Sequence, residues 1–120
     1  MKGRLRKLRA HGREFRWKAE IRHVPAGGDR RRCIRLSVWG AGKNSRMLRA
    51  DLLSKSGPGP WGVTDQAYPT PADVRAVVDY GLAHGWEVEA MGGTFVLAGR
   101  EHAAGLALAD FVLTDRLQEP

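Results

Sequence analysis

At 120 residues the chain has the length of one domain, enough to bury roughly two thirds of its unfolded surface without metal or disulfide. Its composition, 42% hydrophobic and 28% charged, is that of a globular protein, and its single cysteine, Cys33, excludes an internal disulfide framework and fits a reducing cytoplasm. No apolar run approaches the ~18 residues of a membrane span, and the basic N-terminus lacks the apolar stretch of a secretory signal, so a soluble, cytoplasmic protein with no membrane partner is expected.

The first half reads as a basic β-meander over residues 4–53. Arg4 to Ala10 forms a first strand, and His11-Gly12 makes a tight turn. Arg13 to Val24 alternates, with Phe15, Trp17, Ala19 and Ile21 on one face and Arg16, Lys18, Glu20 and Arg22 on the other. That period of two predicts a strand with one face buried and one in water. Pro25 to Asp29 turns the chain. Arg32 to Val38 alternates again with Ile34, Leu36 and Val38 inward. After a second turn at Gly40 to Asn44, Arg46 to Leu52 makes a fourth strand with Leu48, Ala50 and Leu52 inward.

Residues 54–69 show no period and form a long connection, pinned by Trp61 and Tyr68. Loops of that length are structural crossovers or functional segments. A helix follows over 70–85. Thr70 caps its free N–H groups, Pro71 occupies the first helical position, and Asp73 complements the helix dipole. Val74, Val77, Val78 and Leu82 form its apolar stripe, and Gly85 supplies the left-handed stop. The stripe is expected to pack on the inward face of the sheet. Residues 86–117 read as β-rich. Trp86–Ala90 and Thr94–Ala98 suggest a C-terminal hairpin through Gly92-Gly93. The segment 106–117 fits strand or helix, and extended structure pairing with the hairpin is preferred. The predicted fold class is therefore α+β, an antiparallel meander sheet with one helix on one face.

The combination Thr70-Pro71-x-Asp73-Val74, Gly85-Trp86, Phe95-x-Leu97 and Leu113-Thr114-Asp115-Arg116-Leu117 resembles a group of small uncharacterised bacterial proteins, some of them encoded as integron gene cassettes. The resemblance implies an α+β domain that forms oligomers. Its motifs specify a fold and bring no active site with them.

Residue patterns that carry chemistry are sparse. Gly40 to Ser45 echoes a phosphate-binding loop, yet Asn44 stands at the Ser/Thr position and a strand follows where a helix is required. His11, His23, His84 and His102 are scattered, so no metal ligand set is expected. Cys33 has no identifiable base, though neighbouring arginines would lower its pKa if it were exposed. Glu87 and Glu89, with Asp110 and Asp115 nearby, read as solvated charges. No catalytic residue and no cofactor is expected, and a non-catalytic binding protein is the leading reading.

Charge says more. Residues 1–55 hold 17 of the 20 Lys and Arg and 4 of the 13 Asp and Glu, a net of +13, while residues 56–120 hold 3 and 9, a net of −6. Such a split fits a merely solvated basic surface, a nucleic-acid or acidic protein partner, or two copies pairing basic half to acidic half. Alternation projects Arg16, Lys18, Arg22, Arg35, Trp39 and Arg49 from one sheet face. Trp and Arg are enriched at subunit interfaces, so self-association into a homo-oligomer through this open face ranks first. Phosphates held by the same cations, with a base stacked on Trp39, rank second. A small-ligand pocket near the 54–69 loop, built from Trp61, Tyr68, His84 and Trp86, ranks third.

Overall fold

The computed structural model describes residues 4–26, 29–55 and 68–118. Four strands, β1 (Arg6–Ala10), β2 (Arg13–Ala26), β3 (Asp29–Trp39) and β4 (Met47–Ser54), follow one another as an antiparallel meander. Helix α1 (Pro71–Ala83) comes next, then β5 (Thr94–Val96), a one-turn helix α2 (Gly99–His102), β6 (Phe111–Leu113) and a 3₁₀ turn at Arg116–Gln118. The sheet order is β1-β2-β3-β4-β5, with β6 also on β4. The fold is thus α+β with a mixed, mostly antiparallel six-stranded sheet. No helix among the described residues is long and apolar enough to cross a membrane.

Register explains which side chains share a face. Trp17 lies opposite Val38, Ala19 opposite Leu36, Leu36 opposite Ala50, and Val38 opposite Leu48. These residues, with Phe15, Ile34 and Leu52, are buried and form the inner face of the sheet. Ile21 departs from the expectation and is 44% exposed. The cause is strand length: β1 pairs with β2 only as far as Trp17, and β4 with β3 only as far as Cys33, so the far ends of β2 and β3 pair only with each other.

Helix α1 begins as its sequence dictates. Thr70 Oγ1 accepts from the Asp73 backbone N–H, and the Asp73 carboxylate accepts from the Thr70 N–H, a capping box. Val74, Val77 and Val78 are fully buried and join the same hydrophobic cluster as Leu36 and Leu48. Leu82 is half-buried against that cluster. Gly85, at φ +103°, ends the helix and lets the Trp86 N–H reach back to the Gly81 carbonyl at 2.9 Å.

The C-terminal hairpin does not form. Residues 86–90 make turns, with the Ala90 N–H bonded to the Glu87 carbonyl, although Trp86 and Val88 are buried and Glu87 and Glu89 exposed as alternation requires. The alternation is real; it comes from a coiled segment packed over the sheet end. Gly92 and Gly93 both adopt positive φ, and β5 then pairs parallel to β4 through Met47–Arg49. The 106–117 segment also differs from expectation in its partner. Its strand β6 pairs antiparallel with Leu52–Ser54 of β4 and leaves β5 alone. One edge of β4 therefore serves two short strands, and Gly99 lies where they abut, since a Cβ there would come 3.0 Å from the Leu113 carbonyl oxygen. The Asp115 carboxylate accepts from the Gly99 and Arg100 N–H groups and ties that junction together.

Candidate functional site

The outer face of the sheet carries the even-numbered positions of β2 and the odd-numbered positions of β3 and β4. Register sets Arg16 opposite Trp39, Lys18 opposite Ser37, Glu20 opposite Arg35 and Arg22 opposite Cys33. On the other side, Ser37 faces Arg49, Arg35 faces Asp51 and Cys33 faces Leu53. The six residues expected on one face, Arg16, Lys18, Arg22, Arg35, Trp39 and Arg49, do share it. They do not form one open patch, because the face divides into two ends of different character.

One end is closed. Val24, Cys33 and Leu53 are buried in a second, smaller cluster, with Val112 and Leu117 packed against it. Beside it Arg35 makes two hydrogen bonds to Asp51, at 3.0 and 3.2 Å, and a third to the Leu117 carbonyl at 3.3 Å. The Asp51 side chain has no exposure and that of Arg35 only 16%; the hydrogen bonds that Arg35 donates to Asp51 hold the Arg35 pKa above its ordinary value. Arg22 pairs with Glu20 at 3.1 Å, and that hydrogen bond lowers the Glu20 pKa. Arg35 is thus engaged in a buried ion pair with Asp51, a residue that the sequence did not single out.

Cys33 belongs to this closed end. It is fully buried, and desolvation foremost, with the nearby Asp51 charge second, pushes its thiol up to about 12. The condition under which neighbouring arginines would lower its pKa, exposure, is not met. The unfolded chain ionises Cys33 near 9 and the folded chain only near 12, so this stabilisation is complete below pH 9 and drains away as pH rises towards 12. The slope is about 1.4 kcal/mol per pH unit. In urea titrations between pH 8 and 10.5, the stability of the wild type over Cys33→Ala should shrink by about 2 kcal/mol on that slope. Parallel pH profiles for the two proteins would contradict it.

The other end is open and concave. Trp39 is half-buried, with Lys18 Nζ 5.9 Å from its ring centroid. Two cavities meet along it. One, of about 280 Å³, is lined by Leu5, Glu14, Arg16, Trp39 and the Gly40–Lys43 turn. The other, of about 340 Å³, is lined by Leu5, Lys18, Trp39 and Lys43. Leu5, Trp39 and Lys43 border both, so the pair reads as one cleft divided by the indole. The turn that forms its wall is held by Ser45, whose hydroxyl donates to the Gly42 carbonyl at 2.6 Å, while Arg13 donates to the Gly40 carbonyl at 2.8 Å.

Cations continue from the cleft along the edge strand. Lys7 lies opposite Arg16 and Arg9 opposite Glu14, both exposed and on the outer face. Arg49, half-buried beside Ser37, has a buried Nε with no hydrogen-bond partner. Among the described residues, no carboxylate lies within ion-pair distance of Lys7, Arg9, Lys43 or Arg49. Leu5, Lys7, Arg9 and Lys43 were not singled out from sequence; the period of β1 carries the signal for Lys7 and Arg9, but its face is assigned only by its register with β2, and Lys43 joins through the Gly40–Lys43 turn.

The residues expected to build a small-ligand pocket have separate surroundings where they are described. Trp61 lies outside the described residues. Trp86 is a core residue, its indole N–H donating to the Arg46 carbonyl at 3.0 Å and its ring 6.0 Å from that of Phe15. Tyr68 sits against the core, with Arg6 5.8 Å from its ring. His84 is exposed, donates Nδ1–H to the Tyr80 carbonyl and stacks on the Tyr80 ring at 3.8 Å. No group of three or more His, Cys, Asp or Glu suited to a metal occurs among the described residues. Neither a family model, a curated protein nor a solved structure matches the chain.

Proposed function

We propose that the open end of the outer face binds a polyanion, and that the polyanion is the phosphate backbone of a nucleic acid. The observation that carries this reading is that, among the described residues, Lys43 at the Trp39 cleft and Lys7, Arg9 and Arg49 on the same face have no carboxylate within ion-pair distance, while Arg16 and Lys18 at the cleft are paired with Glu14 and Glu20. Among the described residues, the acidic half of the chain does not supply carboxylates to Lys43, Lys7, Arg9 or Arg49. Glu89 is taken by Arg13, Glu87 by Arg46, Asp79 by His11 and Arg75, and Asp115 by Arg100 and the α2 backbone. Glu87, Glu89 and Asp79 of the acidic half are thus paired to the basic half within one chain, which weakens the case for two copies joining through opposite charges.

Self-association through this face is the second reading, favoured by the half-buried Trp39 and by Leu5, which is 36% exposed beside it. A symmetric pair would bring Arg16, Lys18 and Lys43 of one copy towards the same residues of the other, and like charges face to face are repulsive. An anionic partner removes that repulsion. Phosphate contacts of this kind release counterions, so affinity falls with salt.

The test is fluorescence anisotropy of labelled mixed-sequence oligonucleotides across a salt series. With about four phosphates neutralised, log K should fall with log salt at a slope of roughly −3. Reversing Arg16 and Lys43 to glutamate should make that slope shallower by at least about 1.4. No binding at low salt retires the nucleic-acid reading and returns the face to a protein partner.

A further inference from the structure

Resting on that reading, we infer that the preferred ligand is single-stranded nucleic acid, with one unpaired base seated against Trp39 in the Leu5–Lys43 cleft and the following phosphates carried along β1. Three features of the face converge on this. The cleft is apolar at its centre and cationic at its rim: Trp39 and Leu5 form its walls, and Arg16, Lys18 and Lys43 surround them. That is the distribution of a nucleotide, with a flat aromatic base and a charged backbone. A duplex keeps its bases stacked inside and offers the cleft nothing to fill it.

Spacing is the second feature. Alternate residues of a strand repeat every ~6.8 Å, so Lys7 and Arg9 present charges at about that interval along the sheet edge. An extended phosphate backbone can follow that repeat. Third, β1 is an edge strand whose outer face is exposed along its length, so a strand leaving the cleft meets Lys7 and Arg9 without crossing the sheet. Glu14 stands at the cleft wall, its carboxylate 3.5 Å from Arg16, and is placed to accept a hydrogen bond from a base amino group.

The experiment compares a labelled mixed-sequence 15-nucleotide single strand with its own duplex for the wild type, Trp39→Ala, Trp39→Phe and Lys7→Glu/Arg9→Glu. The wild type should bind the single strand at least tenfold more tightly. Trp39→Ala should lose most of that preference and keep the salt slope, because it removes stacking and leaves the phosphate contacts. Trp39→Phe, which preserves an aromatic face if alanine unsettles the fold, should retain part of it. The β1 double variant should do the reverse and make the slope shallower by at least about 1.4. Equal affinity for strand and duplex, with Trp39→Ala unchanged, overturns the inference while leaving a general phosphate site. Displacement of the oligonucleotide by poly-glutamate at matched charge concentration overturns it as well, by showing that charge alone is read. Absence of binding to either nucleic acid at low salt is the separate failure of the underlying reading.

Discussion

Replacing Asp51 by alanine is expected to lower the unfolding free energy by about 3 kcal/mol, a large share of the 5–15 kcal/mol typical of a domain. Asp51 has no exposed side-chain surface, and its two oxygens receive both hydrogen bonds that anchor Arg35. Removing it leaves Arg35, itself only 16% exposed, with one bond to the Leu117 carbonyl. A buried charge stripped of its partner loses more than the pair contributed, because the desolvation cost stays. The double variant Asp51→Leu/Arg35→Met should recover most of the loss, since apolar groups of similar size often replace a buried pair at little cost. Urea unfolding with unchanged m values gives both numbers. A loss below about 1 kcal/mol in Asp51→Ala, a size typical of exposed pairs, would show that this pair is solvated.

The same pair shows what was legible in the sequence and what was not. Alternation in β2, β3 and β4 placed Phe15, Leu36, Val38, Leu48, Ala50 and Leu52 on the buried face, and all are buried. The Thr70–Pro71–Asp73 start and the Gly85 stop of α1 also stand where local chemistry puts them. Those are signals of period and capping, which act within a few residues. What could not be read depends on where distant segments land. Cys33, Asp51 and Arg35 occupy outward positions of their strands, and outward normally means solvated; Val112, Leu117 and the turn after β6 cover them from more than fifty residues away. The failed hairpin has the same origin. Two glycines permit a tight reversal, but the edge of β4 was vacant, and β5 gains a longer-range partner there. Within the candidate site, Arg16, Lys18 and Trp39 followed from period alone, whereas Leu5 and Lys43 join it only through the β1 register and the fold of the Gly40 turn.

That turn also ties the cleft to the core. Gly40→Ala is expected to cost about 2–3 kcal/mol, by overpacking rather than by backbone strain. A Cβ at Gly40 would stand 2.4 Å from Val88 Cγ1 and 2.8 Å from Phe15 Cε1. Phe15 is fully buried and cannot retreat, so the turn or Val88 must move. The clash is specific, and it predicts its own rescue. Val88→Ala alone should destabilise by leaving a small cavity, yet in combination with Gly40→Ala the two changes should add to less than their sum by at least ~1 kcal/mol. Strict additivity would mean that Val88 is not the obstacle. Because Gly40 lines the Trp39 cleft on its other side, a displaced turn should also weaken oligonucleotide binding in Gly40→Ala. Beyond the loss that Val88→Ala causes alone, the Val88→Ala background should recover part of both stability and binding, since the approach to Phe15 remains, and recovery of one without the other would break the link between core packing and cleft shape.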